Sequence, residues 1–240
     1  MEFHIYENAR AACEAAGVLL AAQITRKGDS VLGLATGSTP IPAYEILVEW
    51  CRRGVIDFSR VRTFNLDEYV GIEKTNPCSY HAFMQEHLFS KVNLPAENAH
   101  LPSGCSAADA QAYDAAIHAA GGIDVQLLGI GRNGHIGFNE PADEFTYGTH
   151  IVTLAQSTIE ANARFFSSAD EVPRQAISMG IGNIMAARCV VLVATGESKT
   201  EAVYNTICGP ITPRVPASIL QLHPCCVILT DREAGRLMTP

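Results

Sequence analysis

Val31-Leu32-Gly33-Leu34-Ala35-Thr36-Gly37-Ser38-Thr39-Pro40 sets the reading of the whole chain. Val31 to Ala35 has the length and apolar continuity of a strand buried on both faces. The residues after it cannot extend a strand. Gly37 permits a tight turn, and Pro40 suits a first helical turn, where its missing N–H needs no partner. Working outward, four more apolar runs of strand length follow: Val61 to Leu66, Val125 to Ile130, Cys189 to Ala194 and Cys225 to Thr230. Helical patterns lie between them at roughly 40–53, 78–90, 106–120, 157–166, 180–187 and 197–207. Ala11 to Ile24 reads as an Ala-rich helix packed on the sheet, and Ser157-Thr158-Ile159-Glu160 fits a capping box. This alternation predicts an α/β protein with one doubly wound, mostly parallel sheet and helices on both faces. No linker or internal repeat divides residues 1–240, so a single domain is expected.

Composition narrows the function classes. A formal charge of -8 argues against nucleic acid, whose binders need clustered Lys and Arg to replace counterions. It leaves room for a small anion, because a few placed cations and backbone amides hold one phosphate. The eight cysteines form no C-x-x-C pair, so no structural zinc site is expected. Met1 to Arg10 has no apolar signal region, and Ala11 to Ile24 is too short to span a bilayer. A reducing cytoplasm and no membrane partner are therefore expected.

The unusual residues fall at strand ends. The first four runs finish in Thr36-Gly37-Ser38-Thr39, Asn65-Leu66-Asp67-Glu68, Gly131-Arg132-Asn133-Gly134-His135 and Thr195-Gly196-Glu197-Ser198-Lys199. In an open parallel sheet these ends face one crevice, so four distant segments are expected to form one site. In the first, the amides of Gly37, Ser38 and Thr39 can meet an anion at a helix N-terminus; a plain turn with a Ser/Thr cap is the alternative. Lys199 opens a helix after a second strand-Gly turn, a place suited to a point charge beside a phosphate. Taken singly, Lys199 and Arg164 (in Ala161 to Phe166) also fit as solvated surface cations.

Gly129-Ile130-Gly131-Arg132-Asn133-Gly134 satisfies G-x-G-x-x-G after a strand. The following His135-Ile136-Gly137-Phe138-Asn139-Glu140-Pro141 cannot open the helix that a dinucleotide fingerprint requires. The glycines instead shape a loop presenting His135 and Glu140. A His near a carboxylate is a tunable proton carrier at neutral pH, and Asp67 supplies a separate carboxylate. Each also has a structural reading, as a loop hydrogen bond for His135 and a turn or cap residue for Asp67. No H-E-x-x-H or facial-triad pattern accompanies them, so no metal is expected.

Together the segments Leu34 to Pro40, Thr63-Phe64-Asn65-Leu66-Asp67-Glu68-Tyr69, Gly131 to Pro141 and Gln221-Leu222-His223-Pro224 resemble the glucosamine-6-phosphate deaminase family over nearly the whole chain, in order. The resemblance implies a Rossmann-like fold without metal or cofactor. The substrate it implies is an amino-sugar phosphate, with Gly37, Ser38, Thr39, Arg164 and Lys199 on its phosphate. It further implies ring opening assisted by His135, oriented and tuned by Glu140. Asp67 would move the C2 proton toward C1, and the amine would leave as ammonia to give fructose 6-phosphate. A lid is expected near residues 145–180.

Two departures stand out. Some members carry Asp where this chain has Asn133, and Asn can orient an imidazole without stabilising its cation as a charge does. Allosteric members hold a second phosphate with an Arg and a Lys in the segment matching Thr149 to Thr153; here His150 and Val152 stand there, with Asp143 and Glu144 close by. Non-allosteric kinetics are expected. The chain stops soon after its last strand, so a monomer or small homo-oligomer is expected too. Rival readings on the same fold are a galactosamine-6-phosphate deaminase and a 6-phosphogluconolactonase. A non-catalytic sugar-phosphate sensor is the rival from another class.

Overall fold

The run that opens the sequence reading is strand β2 (Val31–Leu34), buried at every position, and the chain returns beside it repeatedly. The computed structural model describes residues 1–156, 159–160, 163, 166, 168 and 171–238. Around β2 lie β1 (Glu2–Tyr6), β3 (Arg62–Asn65), β5 (Ala99–His100), β6 (Val125–Leu128), β9 (Cys189–Ala194) and β10 (Cys226–Asp231). These seven form one parallel sheet in the order β1-β10-β9-β6-β2-β3-β5.

The described α-helices are α1 (Ala9–Arg26), α2 (Ile41–Arg52), α3 (Tyr80–His87), α4 (Ala107–Ala119), α5 (Ile181–Ala186) and α6 (Thr200–Ile207). Asn8 starts α1 by accepting the Ala11 N–H, and Ser106 starts α4 in a capping box with Asp109. The crossover β2-α2-β3 runs toward one sheet edge and β9-α6-β10 toward the other. Right-handed crossovers in opposite directions place their helices on opposite faces, giving the doubly wound layout. The main core fills both layers, with Tyr44, Phe58, Phe64, Leu20 and Leu32 among its largest fully buried side chains.

The sequence reading had a single sheet; the structure adds a second. Strands β4 (Asp67–Tyr69), β7 (His150–Thr153) and β8 (Gln175–Ser178) pair antiparallel in the order β4-β8-β7. The chain passes between sheets at Leu66, whose N–H donates to Leu34 O at 3.1 Å and whose carbonyl accepts the Met179 N–H at 2.7 Å. Under this small sheet sits a separate apolar cluster of Tyr69, Phe138, Leu154, Ile159, Val172 and Ala176. The sequence does not announce strands β1, β4, β5, β7 and β8, because segments of two to five residues are too short to carry a clear period. No described helix is long and apolar enough to cross a membrane.

Candidate active site

Strands β9, β6, β2 and β3 are adjacent and parallel, so their carboxyl ends reach the same edge. The winding reverses between β2 and β6, which opens a crevice there. All four polar turns singled out in the sequence therefore meet at one edge of the sheet.

The first turn runs from Thr36 to Pro40. Gly37 has φ +98, a backbone that L side chains rarely adopt, and nothing stands within 4 Å of where its Cβ would lie. Helix α2 has no side-chain cap, so a Ser/Thr cap does not account for the turn. The amides of Gly37, Ser38 and Thr39 donate in none of the hydrogen bonds among the described residues. Such amides before a helix start are suited to an anion.

The β9 turn reaches toward the β6 turn. The Gly196 N–H donates to the Asp231 carboxylate at 2.9 and 3.1 Å, which fixes the turn. Lys199 ends the short 3-10 turn Glu197–Lys199, and its Nζ donates to Ile130 O at 2.6 Å. Arg164, the other expected phosphate ligand, lies outside the described residues, as do Ser157 and Thr158 of the expected capping box.

Beyond β6 the chain folds into a tight loop. The Gly131 N–H donates to His135 O at 2.9 Å and the Gly134 N–H to Gly131 O at 3.1 Å. A Cβ on Gly131 would stand 2.2 Å from His135 Cε1, so the imidazole rests directly on bare backbone. His135 Nδ1 lies 3.3 Å from Glu140 Oε2, an ion-pair distance but without hydrogen-bond alignment. The same oxygen accepts a well-formed bond from Asn133 Nδ2 at 2.7 Å, and Asn133 Oδ1 accepts the His135 N–H at 3.2 Å. Asn133 thus ties the acid to the imidazole's own backbone. No helix follows Gly134 through residue 149, as the sequence indicated.

Asp67 is the buried acid of the site. It is 7% exposed and pairs with Ser178 across β4 and β8. A Cβ on Gly137 would lie 3.6 Å from Asp67 Oδ2 and 3.2 Å from Ser178 Oγ, so the His135 loop passes over this carboxyl. Burial, and then the neighbouring Glu68, push the Asp67 carboxyl up to about 8. Glu68 has a different task. It accepts the N–H groups of Tyr69, Tyr80 and His81 at 2.9, 3.0 and 2.9 Å, anchoring the start of α3.

Sequence reasoning missed the supports of this loop. Ser178 Oγ accepts the Phe138 N–H at 3.0 Å, and Asn139 Nδ2 donates to Ile136 O and Met179 O at 2.8 and 2.9 Å. Phe138 and Ser178, like Asn139 and Met179, lie 40 residues apart in sequence, and no local pattern announces such a pairing.

The family model for glucosamine-6-phosphate isomerases/6-phosphogluconolactonase matches residues 6–228. The chain belongs to this family. A glucosamine-6-phosphate deaminase of Clostridioides difficile (strain 630) is 52% identical over 228 residues, covering 94% of this chain and 92% of that protein. A solved monomeric glucosamine-6-phosphate deaminase has a TM-score of 0.95 at 40% identity, covering 99% of this chain and all of that one. The 6-phosphogluconolactonase of Thermotoga maritima, at a TM-score of 0.75 and 18% identity, covers 96% of this chain and shares the fold. Among the described residues no three His, Cys, Asp or Glu side chains cluster as metal ligands.

Proposed function

We propose that the chain converts glucosamine 6-phosphate to fructose 6-phosphate and ammonia without metal or organic cofactor. The observation that carries this reading is the buried Asp67 carboxyl, raised to about 8 beneath the loop that holds His135, Asn133 and Glu140. A base that takes a proton from carbon works best when its pKa lies near the working pH. The substrate's ammonium group would further favour the ionised carboxylate.

The phosphate binds the free amides of Gly37, Ser38 and Thr39, with Lys199 and Arg164 as its cations. His135 moves a proton between the ring oxygen and the C1 hydroxyl to open the sugar, oriented by Glu140 and Asn133. Asp67 removes the C2 proton and returns it to C1 while an ammonium proton passes to the C1 oxygen, leaving a protonated imine at C2. Water adds to that imine and ammonia departs, giving the ketose. Turnover needs a segment to close over the sugar, and residues near 145–180, several of which lie outside the described residues, are the stretch assigned to that lid.

The deaminase is favoured over the lactonase by the likeness at 52% and 40% identity to proteins named as deaminases. The likeness to a monomeric deaminase supports a monomer. The absence of allosteric activation follows from charge at the Thr149 segment. Asp114 accepts the Thr149 N–H there at 3.0 Å and Asn183 Nδ2 at 2.5 Å, so a carboxylate occupies ground where a second phosphate needs cations.

The test is release of ammonia and fructose 6-phosphate from glucosamine 6-phosphate, beside galactosamine 6-phosphate and 6-phosphogluconolactone. Ammonia from the gluco epimer is the expected result. Turnover of the galacto epimer alone changes the substrate, hydrolysis of the lactone alone replaces the reaction, and silence on all three leaves the sensor.

A further inference from the structure

None of the eight cysteines is in a disulfide, and none has a part in the reaction proposed above. Two of them face each other at the amino-terminal edge of the main sheet. Cys226 of β10 pairs in register with Val190 of β9, which sets the preceding residues, Cys225 and Cys189, side by side. The Val190 N–H donates to Cys225 O at 2.9 Å, holding the two strand starts together. Side chains alternate along a strand, so in-register neighbours leave the same face, and the Cys189 and Cys225 thiols interact there. Cys226 points to the other face and is buried. Neighbouring strands lie about 5 Å apart, inside the Cα range that a disulfide spans. Cys225 is exposed and Cys189 half-buried, so a reagent reaches Cys225 first.

We infer that Cys225 and Cys189 form a reversible dithiol–disulfide site that exchanges with low-molecular-weight disulfides of the glutathione type. The Cys225 thiolate attacks one sulfur of the small disulfide and expels its other half as a thiolate, leaving a mixed disulfide on Cys225. Cys189 then gives up its proton to solvent and attacks the Cys225 sulfur, expelling the second small thiolate. The two cysteines are oxidised, the small disulfide is reduced to two thiols, and both protein protons end on the released thiols. Burial pushes the Cys189 thiol up, so the closing step quickens as pH rises. The bond staples the starts of β9 and β10 at the edge opposite Asp67 and His135.

The experiment incubates the full chain with oxidised glutathione, quenches by alkylation, and reads intact mass and linked peptides at neutral and alkaline pH. The expected product is two hydrogens lighter than the reduced chain, contains a Cys189–Cys225 linked peptide, and is restored by dithiothreitol. A glutathione adduct precedes it and disappears faster at alkaline pH. Cys189→Ser is expected to stop at that adduct, and Cys226→Ser to close as the wild type does. A lasting adduct on Cys225 of the wild type, with Cys189 still open to alkylation, would overturn the inference. So would a Cys225–Cys226 bond, or no reaction at Cys225.

Discussion

Asn133 Nδ2 donates to Glu140 Oε2 at 2.7 Å, and that oxygen is also the one 3.3 Å from His135 Nδ1. One carboxylate oxygen is thus held by an amide while it faces the imidazole. The contact to Asn133 is the better aligned, so the asparagine sets where the acid stands and the acid sets where the ring stands.

Asn133→Ala is therefore expected to lower kcat by about 10- to 100-fold, the usual cost of losing such a supporting contact, with little change in KM. Steady-state kinetics check the split. A rise in KM with kcat intact would place Asn133 in substrate binding instead.

The raised Asp67 carboxyl makes both activity and stability depend on pH. For activity, the free enzyme needs the ionised base, so kcat/KM is expected to rise with pH through about 8. Asp67→Asn is expected to lose turnover by about 1,000-fold or more, since it removes the base and its rescue by water is poor.

For stability the sign is opposite. The unfolded carboxyl titrates near 3.8 and the folded one near 8, so between those values the folded state keeps a proton that the unfolded state has released. The stabilisation is full below about 4 and is lost as pH rises through 8. Asp67→Asn is expected to flatten this slope and to be more stable than the wild type at pH 8, by on the order of a few kcal/mol. Urea titrations of both proteins at several pH values measure it. A wild-type curve that rises across this window would contradict the assignment.

Lys199→Ala removes a cation from the proposed phosphate site and the bond to Ile130 O. A charged hydrogen bond contributes about 1.5 to 3 kcal/mol, so kcat/KM is expected to fall by about 10- to 100-fold. Inorganic phosphate should inhibit the wild type competitively and the variant more weakly.

Kinetics without allostery give a hyperbolic rate curve that N-acetylglucosamine 6-phosphate does not shift toward activation. A sigmoidal curve straightened by that ligand would show that Asp114 and Thr149 leave a phosphate site after all.

At the opposite sheet edge, Asp124 is a buried carboxylate held by Lys27 Nζ at 2.7 Å, Arg188 Nη1 at 3.1 Å and the Val31 N–H at 2.8 Å. Asp124→Ala strips two cations and a strand-start amide of their partner. A destabilisation of about 3 kcal/mol is expected with catalysis unchanged in the folded fraction.

The sequence by itself determined the parallel frame. Runs such as Val31 to Ala35 and Cys189 to Ala194 are apolar at every position, a pattern that only strands covered on both faces require. It also located the strand ends beside which Gly37, Asp67, His135 and Lys199 lie, because polar and glycine residues there are local signals. The tertiary structure alone decided the rest. That Asp67 begins a second sheet, that Gly137 lies over its carboxyl and that Ser178 and Met179 hold the His135 loop all depend on contacts between segments far apart in the chain. The difference between Asp67 and Glu68 has the same origin. They are adjacent and alike in type, and burial raises both, but three backbone N–H groups offset part of that rise at Glu68, while Asp67 is pushed up to about 8. Burial and hydrogen-bond partners set a carboxyl's charge, and both are properties of the folded chain.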